Sequence, residues 1–304
     1  MITKPTVLIL GAGASMPYGF PSGRQLLKII DSSLNSNSHL SVNWTITLKK
    51  FDIGEGHIEA FRRELFYSGR SSVDAFLEHR PEFLQIGKLA ITLSLIPFEE
   101  EPRLFDLDSR ENSWYEYLFA KLNAKFEDFD QNKLSVITFN YDRSLEHYLF
   151  KTLKSSYGKS DEECAEKLGK LPIIHVHGRL GALPWQGEGG RPYLNRADVL
   201  KPEVIRNISE QITVISEKED TSPIFDEVFN IMMNAERIYF LGFGYYEVNL
   251  RRLKINILKN KQLFGTSYGL GLAEIKTIND KWRIIFPISH LKVLEFLRDY
   301  APLE

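Results

Sequence analysis

The stretch Val7-Leu8-Ile9-Leu10-Gly11-Ala12-Gly13-Ala14-Ser15 decides the fold. Four apolar residues run into a glycine turn, the pattern of a buried strand. Pro17, Pro21, Ser22 and Gly23 keep the following segment irregular, and helical spacing begins near Ser22 with Leu26, Leu27, Ile29 and Ile30. A buried strand, a tight Gly-x-Gly turn and a helix form the opening unit of a nucleotide-binding α/β domain. Glycines at 11 and 13 let backbone N–H groups approach a pyrophosphate with no Cβ in the way. The third glycine of the dinucleotide fingerprint would fall where Met16 stands, and Gly19 comes too late. The turn therefore also reads as a strand-to-helix connection that binds nothing.

Working outward, Asn35 to Gly56 is polar and patternless apart from Val42, Trp44, Ile46 and Leu48, and reads as a loop with at most a short helix. From His57 to Phe126 the spacing is helical. Ile58, Phe61, Leu65 and Phe66 share a face, Ser72 is placed to cap a helix carrying Val73, Phe76 and Leu77, and Trp114, Tyr117, Leu118, Leu122 and Phe126 form an aromatic core stripe. Strand signals return at Leu134–Phe139, Leu171–His177 and Arg237–Leu241, with further candidates at Tyr268–Ala273 and Trp282–Phe286. Helices are expected at Arg143–Leu153, Pro223–Ala235, from Asn249, and at Ser289–Tyr300. Between His177 and the next helix, Arg179 to Pro202 is a Gly-, Pro- and Trp-rich loop, of a length that is uncommon unless functional. Strands alternating with helices predict an α/β fold: one domain over 1–304, with a Rossmann-like, mostly parallel sheet, helices on both faces and a helical insertion at about 40–130.

Composition narrows the class. A chain of 304 residues with 43% hydrophobic and 26% charged residues has enough apolar material for a globular core. The net charge of −2 gives no bulk attraction to nucleic acid. Cys164 is the single cysteine, which excludes an intramolecular disulfide and a Cys-based zinc cluster and suits a reducing, cytoplasmic setting. Lys4 and the short apolar run resemble a signal peptide only superficially, because Pro5 intervenes and the glycines serve a turn. No apolar run reaches the ~18 residues of a membrane span.

Three polar signals fall at the carboxyl ends of apolar strands, where ligands sit in open parallel sheets. They are Gly11–Ser15, Asn140–Asp142 and His177-Gly178, and the turn Gly242-Phe243-Gly244 makes a fourth. Each has a plain reading of its own. Asn140 and Asp142 are good caps for the helix that follows, and a strand-end histidine is commonly structural. Their coincidence at one sheet edge is what points to chemistry. His175 and His177, two apart on a strand, are expected to face the same side about 7 Å apart. Gly178 favours His177 as the reactive one. His175 reads as a hydrogen-bonded core or supporting residue.

The ordered set Gly-Ala-Gly-Ala-Ser (11–15), Phe-Asn-Tyr-Asp (139–142), His-Gly (177–178) and Gly-Phe-Gly (242–244) resembles the Sir2 (sirtuin) superfamily, and most of all the SIR2-like domains of bacterial anti-phage defence systems. The resemblance spans roughly Val7 to Leu250. It implies that Asn140 and His177 are the catalytic pair and that Asp142 contacts the nicotinamide carboxamide. It also implies that Gly11, Ala12, Gly13, Ala14 and Ser15 hold the pyrophosphate, with Pro21 and Gly178 nearby, and that Gly242, Phe243, Gly244 and Tyr245 line the adenosine-ribose side. Two departures count against peptide deacylation. The single cysteine rules out the four-cysteine zinc module, and Gly19-Phe20-Pro21-Ser22-Gly23 lacks the acid of the sirtuin Asp-Phe-Arg element.

The implied function is an NAD+ glycohydrolase that releases nicotinamide and ADP-ribose and depletes NAD+ in infected cells, with no metal. Cleavage builds oxocarbenium character on the ribose. Asn140 suits positioning of water or ribose hydroxyls, and a histidine with a pKa near 6.5 suits proton acceptance. The alternatives are an NAD-dependent deacylase and a non-catalytic nucleotide-binding module. The resemblance further implies regulation by a separate partner, such as a HerA-type ATPase or an Argonaute-related protein, while the size of the helical region His57–Phe126 leads to the expectation of a homo-oligomer. Tyr67 and Phe98 are candidate exposed contacts for that assembly.

Overall fold

The computed structural model describes residues 1–35, 39–106, 113–196, 200–214, 223–258, 260–288 and 290–303. Its centre is a parallel sheet in the order β3-β2-β1-β4-β5, with β1 at Thr6–Leu10, β2 at Leu134–Thr138, β3 at Ile173–His175, β4 at Arg237–Leu241 and β5 at Gln262–Gly265. This is the strand order of a Rossmann-like sheet. Leu10 is in register with Thr138 on one side and Leu241 on the other, and Thr138 with His175, so four strands end along one edge.

Alternation explains why the strands read as unbroken apolar runs. Leu8, Leu10, Val136, Tyr239 and Leu241 enter one core cluster, while Val7, Ile9, Ile137, Ile238 and Phe240 enter a second on the opposite face. Both faces are covered, and each fully buried side chain of this size contributes about 1.5–3 kcal/mol.

After β1 the chain makes a single helical turn, α1 (Ala12–Ser15), and then α2 (Gly23–Leu34). The cap of α2 is Ser22, whose Oγ accepts the Gln25 N–H while the Gln25 carboxamide oxygen accepts the Ser22 N–H. Six helices then stand between β1 and β2 among the described residues: α3 (His39–Lys49), α4 (Glu55–Tyr67), α5 (Val73–Leu77), α6 (Leu84–Leu95), α7 (Glu101–Phe105) and α8 (Trp114–Lys121). They form the expected insertion, and Ser72 caps α5 through the Ala75 N–H. The chain continues with α9 (Ser144–Tyr157) and α10 (Asp161–Gly169) after β2, and α11 (Pro202–Gln211) and α12 (Pro223–Asn234) after β3. It closes with α13 (Glu247–Arg252), α14 (Leu272–Trp282) and α15 (Val293–Asp299). Helices α12, α13 and α14 bring Phe225, Val228, Met232, Leu250 and Trp282 to one face; the insertion with α9, α10, α11 and α15 covers the other. None of the described helices is long and apolar enough to cross a membrane.

Several expectations need correction. The stretch expected as a loop with at most a short helix holds the 11-residue α3, whose weak pattern is overridden by Trp44 and Leu48 packing on the main core; residues 36–38 lie outside the described ones. The last strand is β5, not Tyr268–Ala273, which runs into α14. Trp282–Phe286 contributes only a bridge from Ile285 to Phe264. Helix α11 fills a stretch that carried no helical expectation. The loop from Arg179 is broken by a short 3-10 turn at Pro184–Gln186, and residues 197–199 lie outside the described ones. The same holds for Ser289, the expected start of the closing helix. Tyr67 is exposed as expected, but Phe98 is half-buried against Phe20.

Candidate active site

The turns after β1 and β4 interlock. The Gly11 N–H donates to the Leu241 carbonyl at 3.0 Å and the Gly13 N–H to the Gly242 carbonyl at 3.0 Å. A Cβ on Gly13 would lie 2.8 Å from Gly242 Cα, and one on Gly242, at φ +57°, would lie 2.2 Å from the Ala14 nitrogen. These glycines serve backbone-to-backbone packing. The N–H groups of Gly11 and Gly13 themselves already have carbonyl partners. The insertion fastens the same turn: the Trp114 indole N–H donates to the Ala14 carbonyl at 2.8 Å, and Tyr18 stacks on Tyr115 at 3.7 Å.

Just past β2, the Asn140 side chain reaches across to β1. Its Nδ2 donates to the Gly11 carbonyl at 2.9 Å and to Ser15 Oγ at 3.0 Å. The carbonyl accepts only, so this contact also fixes which end of the amide faces β1. Asp142 is buried, and its Oδ1 accepts from the Ser144 N–H at 3.2 Å and from the Ser144 hydroxyl. It thus caps the first turn of α9, while Asn140 does not. Ser144 gives its hydroxyl proton to Asp142, so the Tyr115 hydroxyl, 2.7 Å from Ser144 Oγ, is the donor in that contact. Burial pushes the Asp142 carboxyl above its ordinary range, against the hydrogen bonds from Ser144 and Ser15. One polar chain therefore joins Asn140, Ser15, Asp142, Ser144 and Tyr115.

The two histidines part company, contrary to expectation. Strand β3 ends at His175, so His177 sits in a turn and the strand alternation no longer sets its direction. His175 lies between the Asn140 carbonyl, 2.9 Å from Nδ1, and Glu146 Oε1, 2.7 Å from Nε2. Burial works against its charge, but the Glu146 carboxylate prevails and its pKa is raised; burial likewise opposes Glu146, whose pKa the His175 charge lowers. His177 is also buried, with its ring edge-on to Phe139 at 5.3 Å; Phe139 in turn meets Phe243 at 5.0 Å. Gly178, at φ +74°, is required locally: a Cβ there would lie 1.7 Å from the Gln211 carbonyl oxygen at the end of α11.

Sequence reasoning missed a buried ionic clamp on the loop that follows. Arg143 is fully buried and makes a two-pronged contact with Glu99 at 2.7 and 3.0 Å. Its remaining N–H groups reach the carbonyls of Ala182, Arg191 and Pro192. Arg191 also donates to Glu99, at 2.5 Å. The clamp ties the segment after Gly178 to α9 and to the insertion. Glu146 was missed too, although it shares a helix face with Leu149 and Leu153, where a charge demands a partner.

Between these groups lies a cavity of about 10 Å³, lined by Leu10, Ser15, Tyr115, Thr138, Asn140, Asp142, Leu145, Glu146 and Ile173. That is space for about one water molecule. Phe243 and Tyr245 point into the second core cluster, and the Tyr245 hydroxyl donates to the Thr266 carbonyl at 2.9 Å. Gly244 is exposed, and Pro21 is half-buried just before the α2 cap. The structure thus brings Ser15, Asn140 and Asp142 together, sets His177 beside Phe139, and sends the Phe243 and Tyr245 side chains into the core. No protein-family model matches the chain, and no curated protein matches it.

Proposed function

We propose that this protein is an NAD+ glycohydrolase. The observation that carries the reading is the convergence of Ser15, Asn140 and Asp142 on one cavity at the carboxyl edge of a Rossmann-like parallel sheet. In the proposed reaction the bond between ribose C1′ and the nicotinamide nitrogen breaks, and its electron pair neutralises the positive ring. Water forms the new bond to C1′ and gives up a proton. Asn140 orients the water or the ribose hydroxyls, His177 accepts the proton, and Asp142, protonated more readily than an ordinary carboxyl, faces the carboxamide. Nicotinamide is far larger than the cavity, so its entry requires the cavity walls to separate.

Incubating the full chain with NAD+, with and without an acyl-lysine peptide, tests the reading. Peptide-independent release of nicotinamide is expected. Peptide-dependent release would make the chain a deacylase, and binding without turnover a nucleotide-binding module. The wider setting proposed from the sequence resemblance is a cytoplasmic, NAD-depleting effector of anti-phage defence. In that setting the chain is a homo-oligomer controlled by a separate protein such as a HerA-type ATPase or an Argonaute-related protein. Light scattering across a dilution series checks the assembly, and a monodisperse monomer with concentration-independent activity would refute it.

A further inference from the structure

The pair Glu146–His175 lies outside the roles assigned above, yet it touches the residue on which the proposed chemistry turns. The Asn140 carbonyl can only accept a hydrogen bond, so His175 Nδ1 carries a proton and donates it at 2.9 Å. On the other side of the ring, Nε2 faces Glu146 Oε1 at 2.7 Å. Both residues are buried, His175 at 8% and Glu146 at 2% exposure, so neither contact is diluted by solvent. Asn140 is thereby gripped at two ends. Its side chain is bonded to the β1 turn, and its main chain is bonded to the last residue of β3. Rotation of the peptide after Asn140 would break the His175 bond and carry Tyr141 and Asp142 with it.

We propose that Glu146 and His175 are positioning residues for Asn140, with Glu146 holding the imidazole so that its Nδ1–H fixes the Asn140 peptide. The inference rests on the glycohydrolase reading for its kinetic consequence, but not for its structural one. Neither residue is assigned contact with the reacting atoms. His175 presents both ring nitrogens to protein groups, which leaves it no nitrogen for a substrate proton. Burial opposes a charged ring, but the Glu146 carboxylate outweighs it and raises the His175 pKa. Glu146 supports the ring charge, Arg179 opposes it, and Asp142 and Tyr193 sense the Glu146 carboxylate from their own elements.

The test uses the full chain with His175→Leu, His175→Asn and Glu146→Gln, read in two ways. Steady-state nicotinamide release from NAD+ gives kcat and KM. Nitrogen-resolved NMR of the histidine and asparagine side chains gives the protonation of His175 and the environment of the Asn140 amide. The expected result for His175→Leu is a fall in kcat of about thirtyfold with KM nearly unchanged, the pattern of a misplaced group rather than a lost binding contact. His175→Asn, whose amide can donate to the same carbonyl, should recover part of the loss. The His175 ring should hold its second proton to a higher pH in the unmodified chain than in Glu146→Gln, and the Asn140 amide signal should move in His175→Leu. Unchanged kcat, a rise in KM that matches the fall in kcat, or an unmoved Asn140 signal would overturn the proposal. If the unmodified chain releases no nicotinamide, the glycohydrolase reading falls by itself. The NMR arm then still decides: a His175 ring that titrates alike with and without the Glu146 carboxylate, or an Asn140 amide indifferent to His175, overturns the pair.

Discussion

Replacing Gly242 by alanine should unfasten the site without touching any polar side chain in it. Gly242 adopts φ +57°, and its Cβ would meet the Ala14 nitrogen at 2.2 Å and the Gly13 carbonyl carbon at 2.3 Å. Both are backbone atoms, so no side-chain rotation relieves the contact. Three costs follow. A left-handed alanine costs about 1 kcal/mol, overpacking against backbone about 1–3 kcal/mol, and loss of the Gly13-to-Gly242 hydrogen bond about 1 kcal/mol. A total loss of about 3–5 kcal/mol would lower the melting temperature by on the order of 10 °C. Gly56→Ala is the control, because nothing lies within 4 Å of its Cβ position and it sits inside α4, where alanine is the better helix former. Thermal and urea unfolding of both variants give the comparison. A Gly242→Ala chain that melts with the unmodified protein would show that the two turns are not locked together, and the account of the glycines would fail.

Asn140→Ala and His177→Ala should each lower nicotinamide release by at least about a hundredfold with the fold intact, checked by a release assay beside circular dichroism. Gly13→Val should lose stability as well as NAD+ affinity, because Gly242 backbone occupies the space a side chain needs; a stable variant with weak affinity would restore a purely ligand-binding role for Gly13. Arg143→Met should cost about 3 kcal/mol in urea unfolding, because it leaves the buried Glu99 carboxylate with Arg191 alone and takes the donor from the Ala182 and Pro192 carbonyls. Glu146→Gln should change the pH dependence of stability. With the carboxylate present, His175 has a raised pKa, so its contribution is complete below the unfolded value of about 6.5 and is lost as pH rises through the folded value. Without it, burial keeps the ring neutral and stability instead rises with pH through about 5 to 7, by up to about 1.4 kcal/mol per pH unit; parallel unfolding curves for the two chains over pH 5–8 would refute this.

What the sequence made legible follows from the range of each interaction. Strands β1, β2 and β4 are visible because a strand buried on both faces reads as a near-continuous apolar run. Strand β5 is not, because Gln262-Leu263-Phe264-Gly265 has only two apolar residues and lies at the sheet edge, where half of the burial is absent. The four carboxyl-edge turns were legible from glycine and polar residues placed directly after apolar runs. What those glycines pack against was not, because Gly13 and Gly242 are joined only once β1 and β4 become neighbours. Asp142 could be read as a cap from its own vicinity, since its partner is Ser144. Asn140, His175 and Arg143 could not be read that way: their partners are Gly11, Glu146 and Glu99, each brought near only by the completed sheet and insertion. A buried charge is nonetheless a visible demand. Glu146 on the Leu149–Leu153 face of α9 and Arg143 at the mouth of that helix each require an opposite charge from elsewhere in the chain. The histidine at 175 and the glutamate at 99 are what the fold supplies. The residues that steady the proposed site are therefore announced by the cost of burying them, even where their partners are not.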